Sequence, residues 1–165
     1  MTEINQLINK YYKNDGLNNT GSNRRVKGEM TSKEYYNNER QEASKQNKHL
    51  ILDQLLNEIP FRLNQKQVQQ IRRWIDLFNK DWKEFHRQAS NETIILSLIL
   101  IQHKQANPRI KPEKYSISHK YRLTLSTFTL IQNRLIFLQM KYQFHHLIKL
   151  LENQFIQHLL FMEEE

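Results

Sequence analysis

From His49 onward, apolar residues recur every three or four positions, the spacing of an α-helix with one buried face. Leu52, Leu55, Leu56 and Ile59 line a short first helix that Pro60 ends. A second helix opens at Asn64, where Asn64 and Gln67 form a capping-box pattern and Leu63 and Val68 can staple it. Its apolar stripe continues through positions 68, 71, 75, 78, 82 and 85, so Trp82 and Phe85 are expected on the same helix. The third helix runs from Ser90 to about Asn107, where Pro108 blocks continuation. Ile94 to Ile101 leave it almost no polar face, which marks a buried helix. Pro112 suits the first turn of a short fourth helix with Tyr115 and Ile117 inward. A fifth helix begins near Thr124–Ser126 and carries Phe128, Ile131, Leu135, Leu138 and Tyr142. Ile148, Leu151, Phe155, Leu159 and Met162 keep the same period, either as a continuation or as a sixth helix, since no Gly or Pro separates them.

Residues 1–48 differ. They hold all three glycines, many Asn, Gln, Ser, Lys and Glu, and few large aliphatics after Leu17. So little apolar surface cannot offset chain entropy, and the expectation is a mostly disordered arm ahead of a helical domain over 49–165. Within the arm, Ile4, Leu7, Ile8 and Tyr11 share one helical face, compatible with a docking helix but more simply with a transient one.

Charge adds a possible partner. The 165 residues carry 25 Lys+Arg against 17 Asp+Glu, a formal +8. Six of the basic residues gather from the end of the apolar third helix onward: Lys104, Arg109, Lys111, Lys114, Lys120 and Arg122, with His119 among them and Glu113 as the single acid. A buried helix can hold such a tip rigid, and basic residues on a rigid tip suit an anionic partner, nucleic acid first. The alternative is a solvated basic loop. Absence of cysteine excludes disulfides and thiolate metal sites. No apolar run approaches a membrane span and no signal-peptide pattern opens the chain. A soluble intracellular protein is expected, cytoplasmic or nucleoid-associated, nuclear in a eukaryote.

The helix order, with its apolar third helix and Pro-terminated turn, resembles a cyclin box, and within that fold a core repeat of transcription factor IIB and its archaeal counterparts. The segment LSLILIQHKQANPRIK (96–111) places Lys104, Gln105, Pro108 and Arg109 where those repeats carry a basic residue, Gln and then Pro-Arg. Ile59, Pro60, Leu63 and Val68 fit the start of the second helix, and Ser90, Glu92, Thr93 and Ile94 the start of the third. The resemblance spans about 52–142, one repeat, and implies an all-α, five-helix domain with an extra C-terminal helix. It also implies a helix-turn-helix-like corner, Lys111 to Arg122 plus the early fifth helix, with Ser126 and Thr127 near a phosphate backbone. The family factors carry two repeats behind a zinc ribbon, whereas this chain has one repeat and no cysteine. Kinase-partner cyclins keep a Lys-Tyr-Glu-Glu-type run where this chain has Gln105, Ala106 and Asn107 after Lys104, so kinase activation is not implied.

Other chemistry is sparse. Arg72 and Arg73 flank Trp74, one position off the apolar stripe, either a half-exposed anchor for a protein partner or a widening of the core stripe, the favoured reading. His145 and His146 point about 100° apart on a helix and cannot easily share a metal. The acids show no pairing suited to acid–base catalysis, and no Gly-rich phosphate loop occurs, so neither cofactor, metal nor enzyme activity is expected. The apolar C-terminal helix, Leu147 to Met162, is expected to pack across the domain, with a homodimer as the alternative. The expected function is a small non-enzymatic regulator that binds DNA, or a polymerase assembly on DNA, through the 104–122 corner. The alternative is a protein adaptor that uses its helical surface, the arm and Arg72–Trp74.

Overall fold

The computed structural model describes residues 31–163, which fold into five α-helices and two short 3-10 turns, with no β-strand among the described residues. The helices are α1 (Ser32–Glu58), α2 (Gln65–Phe78), α3 (Asn91–Ala106), α4 (Ser116–Lys120) and α5 (Leu125–Glu163). The all-α expectation holds. The docking-helix positions Ile4 to Tyr11 lie outside the described residues.

The chain divides into two compact units, one over 36–142 and one that groups the residues before 36 with 143 onward. The first contains the core. Leu52 and Leu55 of α1, Ile71, Trp74, Ile75 and Phe78 of α2, and Phe128, Ile131, Leu135 and Leu138 of α5 are buried with α3. Every residue of α3 from Thr93 to Gln102 is buried, as its all-round apolarity predicts. Two of its polar members bond to backbone: Thr93 Oγ1 donates to the Tyr121 carbonyl at 2.7 Å and Ser97 Oγ to the Thr93 carbonyl at 2.8 Å.

Two boundaries differ from the sequence-based expectation, and a third point that it left open is decided. First, α1 starts at Ser32, so residues 32–48, expected as part of a disordered arm, are helical. The start is a capping box: Glu34 N–H donates to Thr31 Oγ1 at 3.3 Å, and Thr31 N–H to Glu34 Oε2 at 3.4 Å. Once the buried turns around Leu52 nucleate the helix, each further residue adds one hydrogen bond at little cost, without needing its own apolar face.

Second, α2 ends at Phe78 instead of running on to Phe85. Asn79, at its end, is held from α1: Lys48 Nζ donates to Asn79 Oδ1 at 2.6 Å, and Asn79 Nδ2 to the Gln41 carbonyl at 3.3 Å. Trp82 and Phe85 still enter the core, through a 3-10 turn (Trp82–Glu84), their rings edge to face at 5.2 Å. Trp82 Nε1 donates to Asn91 Oδ1 at 3.0 Å. The α2 capping box at Asn64 and Gln67 forms as expected, with bonds of 2.9 and 2.8 Å.

Third, the open question of one or two C-terminal helices resolves into a single helix of 39 residues. Its buried positions stop at Leu138. Phe144, Leu147, Leu151, Phe155 and Leu159 are exposed.

Candidate nucleic-acid interface

The expected corner separates into a pinned part and an open part. Lys104, in the last turn of α3, is half-buried, with Nζ 5.8 Å above the Phe128 ring. Beside it His103 stacks flat on Phe61 at 3.6 Å and faces the Tyr115 hydroxyl at 3.3 Å from Nε2. Burial lowers the His103 pKa, which favours the neutral ring that stacks there. These contacts fix the root of the loop. Arg109, Lys111 and Lys114 are exposed beyond it, with Pro112 inward and the Pro112 carbonyl accepting from Ser118 Oγ at 2.6 Å.

Lys120 is exposed but engaged. Its Nζ donates to Glu58 Oε2 at 3.0 Å, and the Tyr121 hydroxyl donates to the same carboxylate at 2.9 Å. The hydrogen bond from Lys120, then that from Tyr121, lowers the Glu58 pKa, and the Lys120 pKa is raised in return. Burial first, and then the Glu58 carboxylate, raises that of the Tyr121 hydroxyl. Part of the Lys120 charge is therefore spent inside the protein.

Arg122 is placed by backbone geometry. It has φ 55°, in the left-handed region. The Leu123 N–H returns to the Ser118 carbonyl at 2.7 Å and the Arg122 N–H to the His119 carbonyl at 3.2 Å. This is a Schellman stop to α4 with arginine at the position glycine usually takes. His119 is exposed on the same short helix. The next helix follows at once: Thr124 Oγ1 accepts from the Thr127 N–H at 3.2 Å and caps α5. Ser126 and Thr127 thus sit in its first turn.

Arg122, Lys120 and Thr127 line a groove of about 410 Å³ together with His86, Ser90 and Thr93. Ser90 caps α3, accepting from the Thr93 N–H at 3.2 Å. Two helices, α3 and α5, therefore begin at this groove, with the positive ends of their dipoles toward it. A second groove, about 770 Å³, continues from it, since His86 and Gln88 line both. It adds Lys83, Arg87, Arg134 and Lys141, with Glu84 as the opposing acid, 3.8 Å from Lys141. His86 Nδ1 accepts from the backbone N–H groups of Gln88 (3.1 Å) and Ala89 (2.9 Å). That leaves Nε2 to carry the proton and donate.

Lys83, His86, Arg87, Arg134 and Lys141 were not among the residues expected from sequence. Their signal is present in hindsight: Thr127, Leu130, Arg134, Phe137 and Lys141 alternate steps of three and four along one face of α5. The basic run from Lys83 to Arg87 carries no such period and is brought beside that face only by the fold.

Trp74 is not the half-exposed anchor weighed as the alternative reading of Arg72–Trp74. Trp74 is 3 % exposed, in the core. Arg72 pairs with Asp53 and bonds His49 Nδ1 at 3.1 Å, while His49 Nε2 meets Asp76 at 2.8 Å. This network ties α1 to α2. Arg73 alone is exposed. The reading of Trp74 as a widened core stripe is the correct one. Among the described residues no three His, Asp or Glu side chains gather as metal ligands, and no helix is long and apolar enough to cross a membrane.

No family model, no curated protein and no solved structure matches this chain.

Proposed function

We propose that this protein is a non-enzymatic nucleic-acid-binding regulator, associated with transcription in the cytoplasm or nucleoid, or the nucleus of a eukaryote. Duplex DNA is the favoured ligand. Its phosphate backbone would lie along the two joined grooves, from Arg122 past His86 to Arg87, Lys83 and Arg134, with Arg109, Lys111 and Lys114 reaching an adjacent stretch. The observation that carries this reading is the continuous cationic lining at the start of two helices. Lys and Arg there neutralise phosphates and release counterions, while helix N-termini and the hydroxyls of Ser126 and Thr127 add phosphate contacts. The finer assignment of the fold, a single cyclin-box-like repeat, rests on the fully buried α3, the Pro108-Arg109 turn after it and the corner into α5.

Binding to random duplex DNA, measured against salt concentration, tests the proposal. Affinity should fall steeply with salt. Charge reversal of Arg87, Arg122 and Arg134 to Glu should abolish binding with helicity intact. Charge reversal of Lys45, Lys66 and Lys80, away from the grooves, should cost far less. Each single reversal within the grooves should lower the slope of log affinity against log salt by about one unit. Equal losses from both sets would reduce the effect to net charge and sink the groove assignment.

A protein partner is the second reading, favoured by Leu130 and Phe137, which are 41 % and 53 % exposed among the groove cations. An acidic amphipathic segment would use both features. A flat, weak salt response with DNA would favour it.

A further inference from the structure

Glu58, the last residue of α1, holds a cation that also belongs to the groove. Its carboxylate accepts from three side chains: Lys120 Nζ at 3.0 Å, the Tyr121 hydroxyl at 2.9 Å and Gln54 Nε2 at 3.4 Å. The Glu58 side chain is 26 % exposed and that of Lys120 61 %. The acid is therefore the fixed member of the pair and the lysine the open one. With Lys120 withdrawn, Tyr121 and Gln54 still give the carboxylate two donors, so release of the lysine does not leave it bare. Lys120 and Tyr121 line the groove of about 410 Å³ beside Arg122 and Thr127, whereas Glu58 is not among its lining residues. Among the described residues, the other lysine that meets an acid at the joined grooves does so loosely: Lys141 lies 3.8 Å from Glu84.

We propose that Glu58 is an autoinhibitory carboxylate, which competes with a nucleic-acid phosphate for Lys120 and so lowers the affinity of the groove. This rests on the nucleic-acid reading above and adds its regulation. Carboxylate and phosphate oxygens offer an ammonium group the same kind of charged acceptor, so an amine engaged by one is withheld from the other. Lysine is a point charge on a flexible stem, which suits exchange between two acceptors better than a bidentate arginine would. An exposed ion pair contributes little by itself, so a phosphate brought close by Arg122 can draw Lys120 away. The groove then discriminates by position. A strand that sets a phosphate beside Lys120 recovers this contact, and one held only by Arg87 and Arg134 does not.

A cycle of four full-length chains tests the competition: native, Glu58→Gln, Lys120→Gln and the double variant. Each is checked for helicity by circular dichroism and titrated with a short random-sequence duplex. Glu58→Gln should tighten binding by up to roughly eightfold at about 0.1 M salt, the counterion-release gain of one phosphate contact, and steepen the slope of log affinity against log salt by up to about one unit. The same substitution made in the Lys120→Gln chain should tighten binding far less. Loss of an acid raises the net charge equally in both backgrounds, so an equal gain in the two would reduce the effect to net charge and overturn the proposal. Acetic anhydride labelling of the free chains, read by mass spectrometry, needs no nucleic acid. Lys120 should react faster in Glu58→Gln than in the native chain. Equal labelling rates overturn the proposal and leave the nucleic-acid reading in place. Absence of binding by all four chains overturns that reading, and the competition with it.

Discussion

Arg122 adopts a backbone conformation that costs a non-glycine residue about 1 kcal/mol, at a helix stop where glycine would serve. Retaining arginine there fits a side chain needed at the groove. Arg122→Gly should therefore leave Tm unchanged or raise it by up to about 4 °C, while DNA affinity falls and the salt slope drops by about one unit. A variant that loses stability and keeps its affinity would show the residue to be structural. Glu58 supplies a pH dependence. Its folded pKa lies below the usual carboxylate value, chiefly through Lys120 and then Tyr121, so its contribution to stability is complete above the unfolded carboxylate pKa of about 4.3 and is lost as pH falls through the lower folded value. Thermal unfolding of Glu58→Gln against the native chain should show the variant less stable at pH 7, the gap closing below about pH 4. A gap that is constant with pH would mean that the carboxylate's charge contributes nothing.

At the scale of the element, α3 was legible because its apolarity leaves no room for a solvent face, and burial from Thr93 to Gln102 follows. Leu98→Asp would place an unpaired charge among fully buried neighbours, at a cost of several kcal/mol. Insoluble or unfolded protein is expected, and a soluble, helical Leu98→Asp variant with native-like thermal unfolding would contradict the central place of α3. The α2 capping box was legible for a different reason, since both partners lie within four residues of each other. The early start of α1 carried the same kind of signal at Thr31 and Glu34, but hydrophobic periodicity, absent from 32–47, pointed the other way. Helix propagation from buried turns needs no apolar stripe, so a pattern of burial is a poor guide to where an exposed helix begins. The end of α2 shows the converse: Trp82 and Phe85 keep the helical period and the burial it implies, although the backbone between them and Phe78 is no longer α-helix.

For the whole molecule, sequence determined what depends on neighbours along the chain. That includes the all-helical class, the capping box at Asn64, the helix starts at Ser90 and Thr124, the proline stops, most core residues as far as Leu138 and the location of the 104–122 basic cluster, although Tyr142, expected on the same stripe, is exposed. Each follows from local hydrogen bonding or from a 3.6-residue period, and both are written within a few residues. Tertiary structure decided which charges act together. Lys120 lies next to Arg122 in sequence, yet it is occupied by Glu58, 62 residues away. Arg87 and Arg134 lie far apart in sequence, yet they line one groove. Trp74, flanked by two arginines, is withdrawn into the core, and Arg72 is spent on Asp53. The period that puts Arg134 and Lys141 on one face of α5 does not say what faces them, because a solvated side chain satisfies no packing constraint. Only the meeting of distant helices, driven by the burial of their apolar faces, settles which cations are left to line a groove.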